Sequence, residues 1–214
     1  MKKLIPLLVA SLFACWSCNM KDTYTQTNVQ DMVTVVGDQL VNDNGYTLNV
    51  VEDAVGAKKW KVEGARYYAL FDILNRSLDI RLKDVLRANI VEATDEYNPD
   101  DYAKDPVEFS LQGFSGGYLN LGFNITKDPA SNNAHIFRFH YKSEQEHLTI
   151  YVEHEGNGED PVHMPDVELS TEGRVYCIPI KDIPHFTWVT LVMNVVTTDS
   201  TGEKVIEERI IDLR

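Results

Sequence analysis

Apolar and polar residues alternate with a period of two along most of this chain, and stretches with helical spacing are nearly absent. Side chains two positions apart share one face of a strand, so the alternation predicts half-buried β-strands. In the first third, Met32 to Val36, Tyr46 to Val51, Lys59-Trp60-Lys61-Val62, Arg66 to Leu74 and Leu78 to Leu82 read as strands. Asp43-Asn44-Gly45 is a hairpin signal, because Asn, Asp and Gly are the residues that reach the left-handed backbone a tight turn needs. Five short strands within roughly sixty residues predict a small closed barrel over residues 32–94.

The pattern then breaks. Residues 95–105 are acidic, carry Pro99 and show no periodicity, which predicts a linker between two domains. Alternation resumes at Val107 to Leu111, Tyr118 to Ile125, Ala134 to Tyr141, His147 to Glu153, Arg174 to Ile180, Trp188 to Thr197 and Lys204 to Leu213. Gly116-Gly117, Gly156-Asn157-Gly158 and Asp199 to Gly202 punctuate them. Strands at this spacing predict an antiparallel β-sandwich over residues 106–214.

Ahead of both blocks, Lys2-Lys3, an apolar run from Leu4 to Trp16 and an abrupt polar onset after Cys18 form a bacterial export signal that ends in a cysteine. Residues 1–17 read as a lipoprotein signal peptide, Cys18 as the lipidated residue with Cys15 the alternative, and the polar residues 18–31 as a tether. The apolar run falls short of the roughly 20 residues a spanning helix needs, and Pro6 interrupts it. The expected location is therefore the cell envelope, most naturally the outer membrane, held by the lipid alone. Which way the body faces is left open.

The chain has 20 Lys+Arg against 33 Asp+Glu, and losing Lys2 and Lys3 with the leader moves the net charge from −13 to −15. Such a surface repels phosphate backbones and argues against nucleic-acid partners. The one basic cluster, Lys58, Lys59 and Lys61, is small against that total. Once the leader cysteines are spent, Cys177 is the remaining thiol, so no internal disulfide is expected and the core must hold the fold.

Residues able to carry chemistry are few. Ser115 in Gly113-Phe114-Ser115-Gly116-Gly117 has nucleophile-elbow spacing, but a strand follows where the elbow requires a helix, so a tight β-turn is expected. Cys177 sits among apolar strand residues and reads as an inert core thiol. The six histidines, His135, His140, His147, His154, His163 and His185, all fall in the second block. Glu153-His154-Glu155 offers metal donors, yet neighbours on a strand point to opposite faces, so no metal site is expected there. Glu155 to Asp160 lacks the spacing of a calcium loop and reads as a solvated turn. Phe137, Phe139 and Tyr141 share one strand face, as a core requires. Neither a catalytic residue nor a cofactor is expected.

The order of features, with Asp105 to Phe109 running into Gly116 to Phe123 and the closing segments Trp188 to Val195 and Asp199 to Lys204, resembles the NigD-like lipoproteins of the Bacteroidota. The resemblance implies an all-β chain: a small N-terminal OB-like barrel followed by a C-terminal antiparallel β-sandwich. It links the family to a bacteriocin operon and implies no established activity. The functional expectation is a non-catalytic binding or interaction module, engaging an envelope protein or a secreted peptide, with an immunity-related role. A glycan-binding accessory lipoprotein is the alternative and a hydrolase the remote one. The sequence leaves oligomeric state open.

Overall fold

The computed structural model describes residues 24–95, 98 and 103–213. The signal segment, Cys15 and Cys18 lie outside the described residues. Thirteen strands are described: β1 (Gln26–Val36), β2 (Gln39–Asn42), β3 (Thr47–Asp53), β4 (Arg66–Ile73), β5 (Asp79–Ile90), β6 (Ala93–Thr94), β7 (Glu108–Ser115), β8 (Tyr118–Lys127), β9 (Ile136–Glu144), β10 (His147–Glu155), β11 (Ser170–Pro179), β12 (Trp188–Thr198) and β13 (Lys204–Leu213). A single helical turn, α1 (Ala57–Trp60), and a 3-10 turn at Ile180–Asp182 are the helical elements among them. The chain is all-β.

Strands β1 to β5 pair in the ring β1-β2-β3-β5-β4-β1 and so close a barrel. Val33, Val35, Leu40, Tyr67, Phe71 and Ile80 fill it, each at most 1 % exposed. One of the five expected strands is replaced by another. Lys59 to Val62 is not a strand: Ala57–Trp60 forms α1, and the fifth strand is the four-residue β2. Local hydrogen bonds decide this. Asp53 accepts from the backbone N–H groups of Val55 and Gly56 through Oδ1 and from Trp60 Nε1 through Oδ2, which curls the chain and drives the indole to 1 % exposure. A Trp buried to that degree contributes about 3–5 kcal/mol relative to Ala, enough to override a strand-like local pattern.

The barrel also begins earlier than the polar composition indicated. Gln26 to Asp31, read as tether, are the first half of β1 and pair with β4 as far as Gln26↔Ile73. Gln26, Thr27, Asn28 and Gln30 are exposed on the barrel wall while Val29 packs against the core, so ladder hydrogen bonds and one apolar side chain place the segment.

In the second lobe, β11-β8-β7 and β13-β12-β10-β9-β6 form the two layers. Phe123, Phe139, Leu148, Ile150, Ile178 and Leu191 lie between them, and Phe137 and Tyr141 pack against the same cluster. Most pairs are antiparallel, with parallel pairing at β5–β11, β6–β9 and β10–β12. Residues 103–105, at the end of the acidic segment, are pinned to the sandwich. His154 N–H donates to Ala103 O, Asp105 N–H to His154 O, and Asn194 Nδ2 to Lys104 O.

β5 belongs to both lobes. Its first part pairs with β3 and β4, and Ala88, Asn89 and Ile90 then pair with Val175, Tyr176 and Cys177 of β11. One eight-stranded sheet therefore runs from barrel to sandwich. Met32, Ala88, Val175 and Cys177 form a small apolar cluster at the crossing, with Tyr68, Leu111 and Tyr118 against it.

Candidate functional site

Two hairpin tips meet beside that cluster. The β2–β3 turn carries Asp43, and the β7–β8 turn carries Ser115, Gly116 and Gly117. Ser115 pairs with Tyr118 across the two glycines, whose φ of 58° and 81° define a left-handed two-residue loop. The serine-glycine motif is thus a hairpin turn, as the strand after it implied. A Cβ at Gly116 would lie 2.4 Å from Asp43 Oδ1, so the tips approach this closely only because the side chain is absent.

Arg66, the first residue of β4, locks the tips together. Nη1 and Nη2 donate to Asp43 Oδ1 and Oδ2, both at 2.8 Å, with the two side chains 5 % and 4 % exposed. Nη1 also donates to Thr34 Oγ1 and Nη2 to Asn120 Oδ1, while the guanidinium lies 4.3 Å from the centre of the Tyr118 ring. Ser115 Oγ donates to Asp43 Oδ2 and accepts from Asn120 Nδ2, and Cys177 Sγ donates to Asn120 Oδ1. Burial alone would lower the Arg66 pKa, but the bonds to Asp43 hold it above its ordinary value. Burial pushes the Cys177 thiol up, against the opposing effect of Arg66, so the thiolate is disfavoured. Ser115 and Cys177 are therefore both built into the joint between the lobes. The Ser115 hydroxyl donates to Asp43, a carboxylate whose two oxygens are already held by Arg66.

A second polar cluster closes the far end of β10. His135 Nε2 lies 3.2 Å from Glu159 Oε2, His135 Nδ1 lies 3.1 Å from His154 Nε2, and His154 Nδ1 lies 3.2 Å from the Asp105 carbonyl oxygen. Glu159 also accepts from Ser131 Oγ, Asn133 Nδ2 and the Asp128 N–H. Burial raises the Glu159 pKa, but these donors and His135 outweigh it and bring it down to about 2. Burial pulls the His154 pKa down. Gly156 is required here: a Cβ would lie 2.8 Å from His154 Cε1.

The remaining candidates are dispersed. Glu153 points to the opposite face from His154 and binds Arg138 and His140, as strand alternation demands. His163 Nδ1 pairs with the buried Asp160, which raises its pKa, while His147 Nε2 lies 2.6 Å from Thr190 Oγ1 and His185 is exposed. Glu159 and Asp160, read as part of a solvated turn, instead bury their carboxylates at 5 % and 1 % exposure to accept the chain's own donors. Among the described residues, no group of three or more His, Cys, Asp or Glu is arranged to hold a metal ion. Of the lysine cluster, Lys61 pairs with Asp38 and Lys59 is exposed.

The joint was invisible at the sequence level. Asp43 carries ordinary turn chemistry, and Asn120 sits among Leu119, Leu121 and Phe123 with nothing to mark it. The weak signal is β8 itself, in which Leu119 to Phe123 are all buried because both faces are covered. A polar residue in such a strand must find a partner inside the protein.

These features define a two-lobed, all-β protein with a shared sheet and a polar joint. No protein-family model and no curated protein sequence matches the chain. Its fold is similar to that of solved structures from the Bacteroidales. A protein of unknown function, DUF1344, from Bacteroides vulgatus has a TM-score of 0.59 and 16 % identity over 89 % of this chain and 92 % of its own. A NigD-like immunity protein from Bacteroides caccae has a TM-score of 0.55 and 16 % identity over 86 % and 91 %. A protein described as a lipoprotein from Bacteroides fragilis has a TM-score of 0.54 and 13 % identity over 88 % and 99 %. The resemblance to NigD-like proteins therefore holds at the level of the whole fold.

Proposed function

We propose that this chain is a lipid-anchored protein of the bacterial cell envelope that acts by binding and performs no chemistry, in an immunity-related setting. The observation that carries the reading is the joint: Ser115 and Cys177 are both committed to holding the two lobes together. Fold likeness to a NigD-like immunity protein and to a protein described as a lipoprotein supports it. No helix among the described residues is long and apolar enough to cross a membrane, which fits attachment through an acylated Cys18. A rigid two-lobed body held near a membrane raises the local concentration of any binding surface it carries. The partner is a second envelope protein or a secreted peptide.

The test is metabolic labelling with a fatty-acid analogue, followed by cross-linking in the native envelope. The wild-type chain is expected to carry label, to sediment with membranes and to give one dominant cross-linked protein product. Cys18→Ala is expected to lose label and product together. A labelled chain with no product above background would contradict the binding reading, and an unlabelled wild type would contradict the anchor.

A further inference from the structure

β7 and β13 are the end strands of the two layers, and between them the sandwich opens into a slot of about 420 Å³. Val107, Phe109, Ile125 and Val195 line it, all members of the core cluster or packed against it. The Thr197 hydroxyl, also in the lining, is buried without a hydrogen-bond partner. Arg209 stands at the rim. It shares a β13 face with Ile211 and Leu213, which pack into the core, and sits opposite the buried Met193. Arg209 makes no ion pair or hydrogen bond among the described residues. Glu108, the one carboxylate in the lining, accepts from Asn124.

An inward-pointing charge on an end strand discourages edge-to-edge pairing, which accounts for the position of Arg209. It does not account for a slot of small-ligand size, lined by polar as well as apolar side chains, beneath an unpaired guanidinium. We propose that this slot binds an organic carboxylate with an alkyl tail, the carboxylate paired with Arg209 and the tail lying against Val107, Phe109 and Val195. The guanidinium supplies a planar pair of donors that matches a carboxylate. The site stands apart from the envelope reading and does not rest on it.

Octanoate is the probe, octanamide its uncharged counterpart, and N-acetyl-Leu-Leu carries the same carboxylate on a peptide body. Binding is followed by NMR on the whole chain, through the Arg209 Nε–H signal and the methyl groups of Val107 and Val195. Octanoate is expected to bind with a Kd of about 1 mM or tighter and to move all three. Octanamide is expected to bind at least fivefold more weakly. Arg209→Gln, a change at an exposed side chain, is expected to weaken octanoate at least fivefold and leave octanamide unchanged, with Arg209→Lys in between. Shifts absent at these sites, equal binding of the amide, or undiminished octanoate binding by Arg209→Gln would overturn the proposal. Tighter binding of N-acetyl-Leu-Leu than of octanoate would overturn the alkyl assignment.

Discussion

A Cβ on Gly116 would lie 2.4 Å from Asp43 Oδ1, so the tip of the sandwich hairpin rests on the carboxylate at the tip of the barrel hairpin. Gly116 also adopts φ 58°, where side chains other than glycine are disfavoured. Gly116→Ala therefore incurs backbone strain and displaces Asp43 from Arg66. The expected loss is about 2–4 kcal/mol in chemical denaturation. Gly202, at φ 88° with nothing near its Cβ, is the control, where the same change costs about 1 kcal/mol.

Arg66 and Asp43 form a buried pair, and removing one partner strands the other. Asp43→Ala and Arg66→Ala are each expected to destabilise the chain by about 3–5 kcal/mol, with the double variant well short of the sum. A double-mutant cycle monitored by denaturation measures the difference. Additivity would show that the two groups do not act as one unit.

Cys177 is fully buried, and its thiol is pushed up by that burial. Its thiol is expected to be inert to a thiol-specific reagent at neutral pH until the chain unfolds, and to react once denaturant is added. Rapid labelling of the native chain would contradict its place in the joint.

Glu159 sets the acid response of the loop that closes β10. Its folded pKa of about 2 lies below the ordinary carboxylate value of 4.5, so its contribution is fully present above pH 4.5 and is lost as pH falls toward 2. Glu159→Gln should remove that part of the acid dependence and lower stability at neutral pH by about 2–4 kcal/mol. Denaturation curves from about pH 2 to about pH 7, a range that brackets the shift, give the comparison. His163 acts with the opposite sign: its raised pKa stabilises below 6.5 and the effect fades as pH rises through the folded value, weakly because the ring is exposed.

The paired strands of the sandwich were legible because turn residues separate long alternating runs such as His147 to Glu153 and Trp188 to Thr197. The four residues of β2 were too short to show a period, and the Trp60 segment imitates a strand until Asp53 is seen to gather its N–H groups. Gln26 to Asp31 look like tether because Val29 is the one apolar side chain among them and ladder hydrogen bonds place the rest. The expected split between Glu153 and His154 follows from strand geometry alone, and the two side chains do face opposite ways. The joint draws on residues far apart in sequence, Asp43, Arg66, Ser115, Asn120 and Cys177, none of which is unusual in its own neighbourhood. Its members become related only when β5 carries one sheet across both lobes.

The most direct test of the central claim, that this chain binds without chemistry, is quantitative cross-linking in its native envelope, comparing the wild type with the Ser115→Ala, Cys177→Ala double variant. Binding without chemistry predicts one dominant protein partner, captured by the folded variant as fully as by the wild type. A partner that is cleaved or modified by the wild type and left intact by the variant would contradict it.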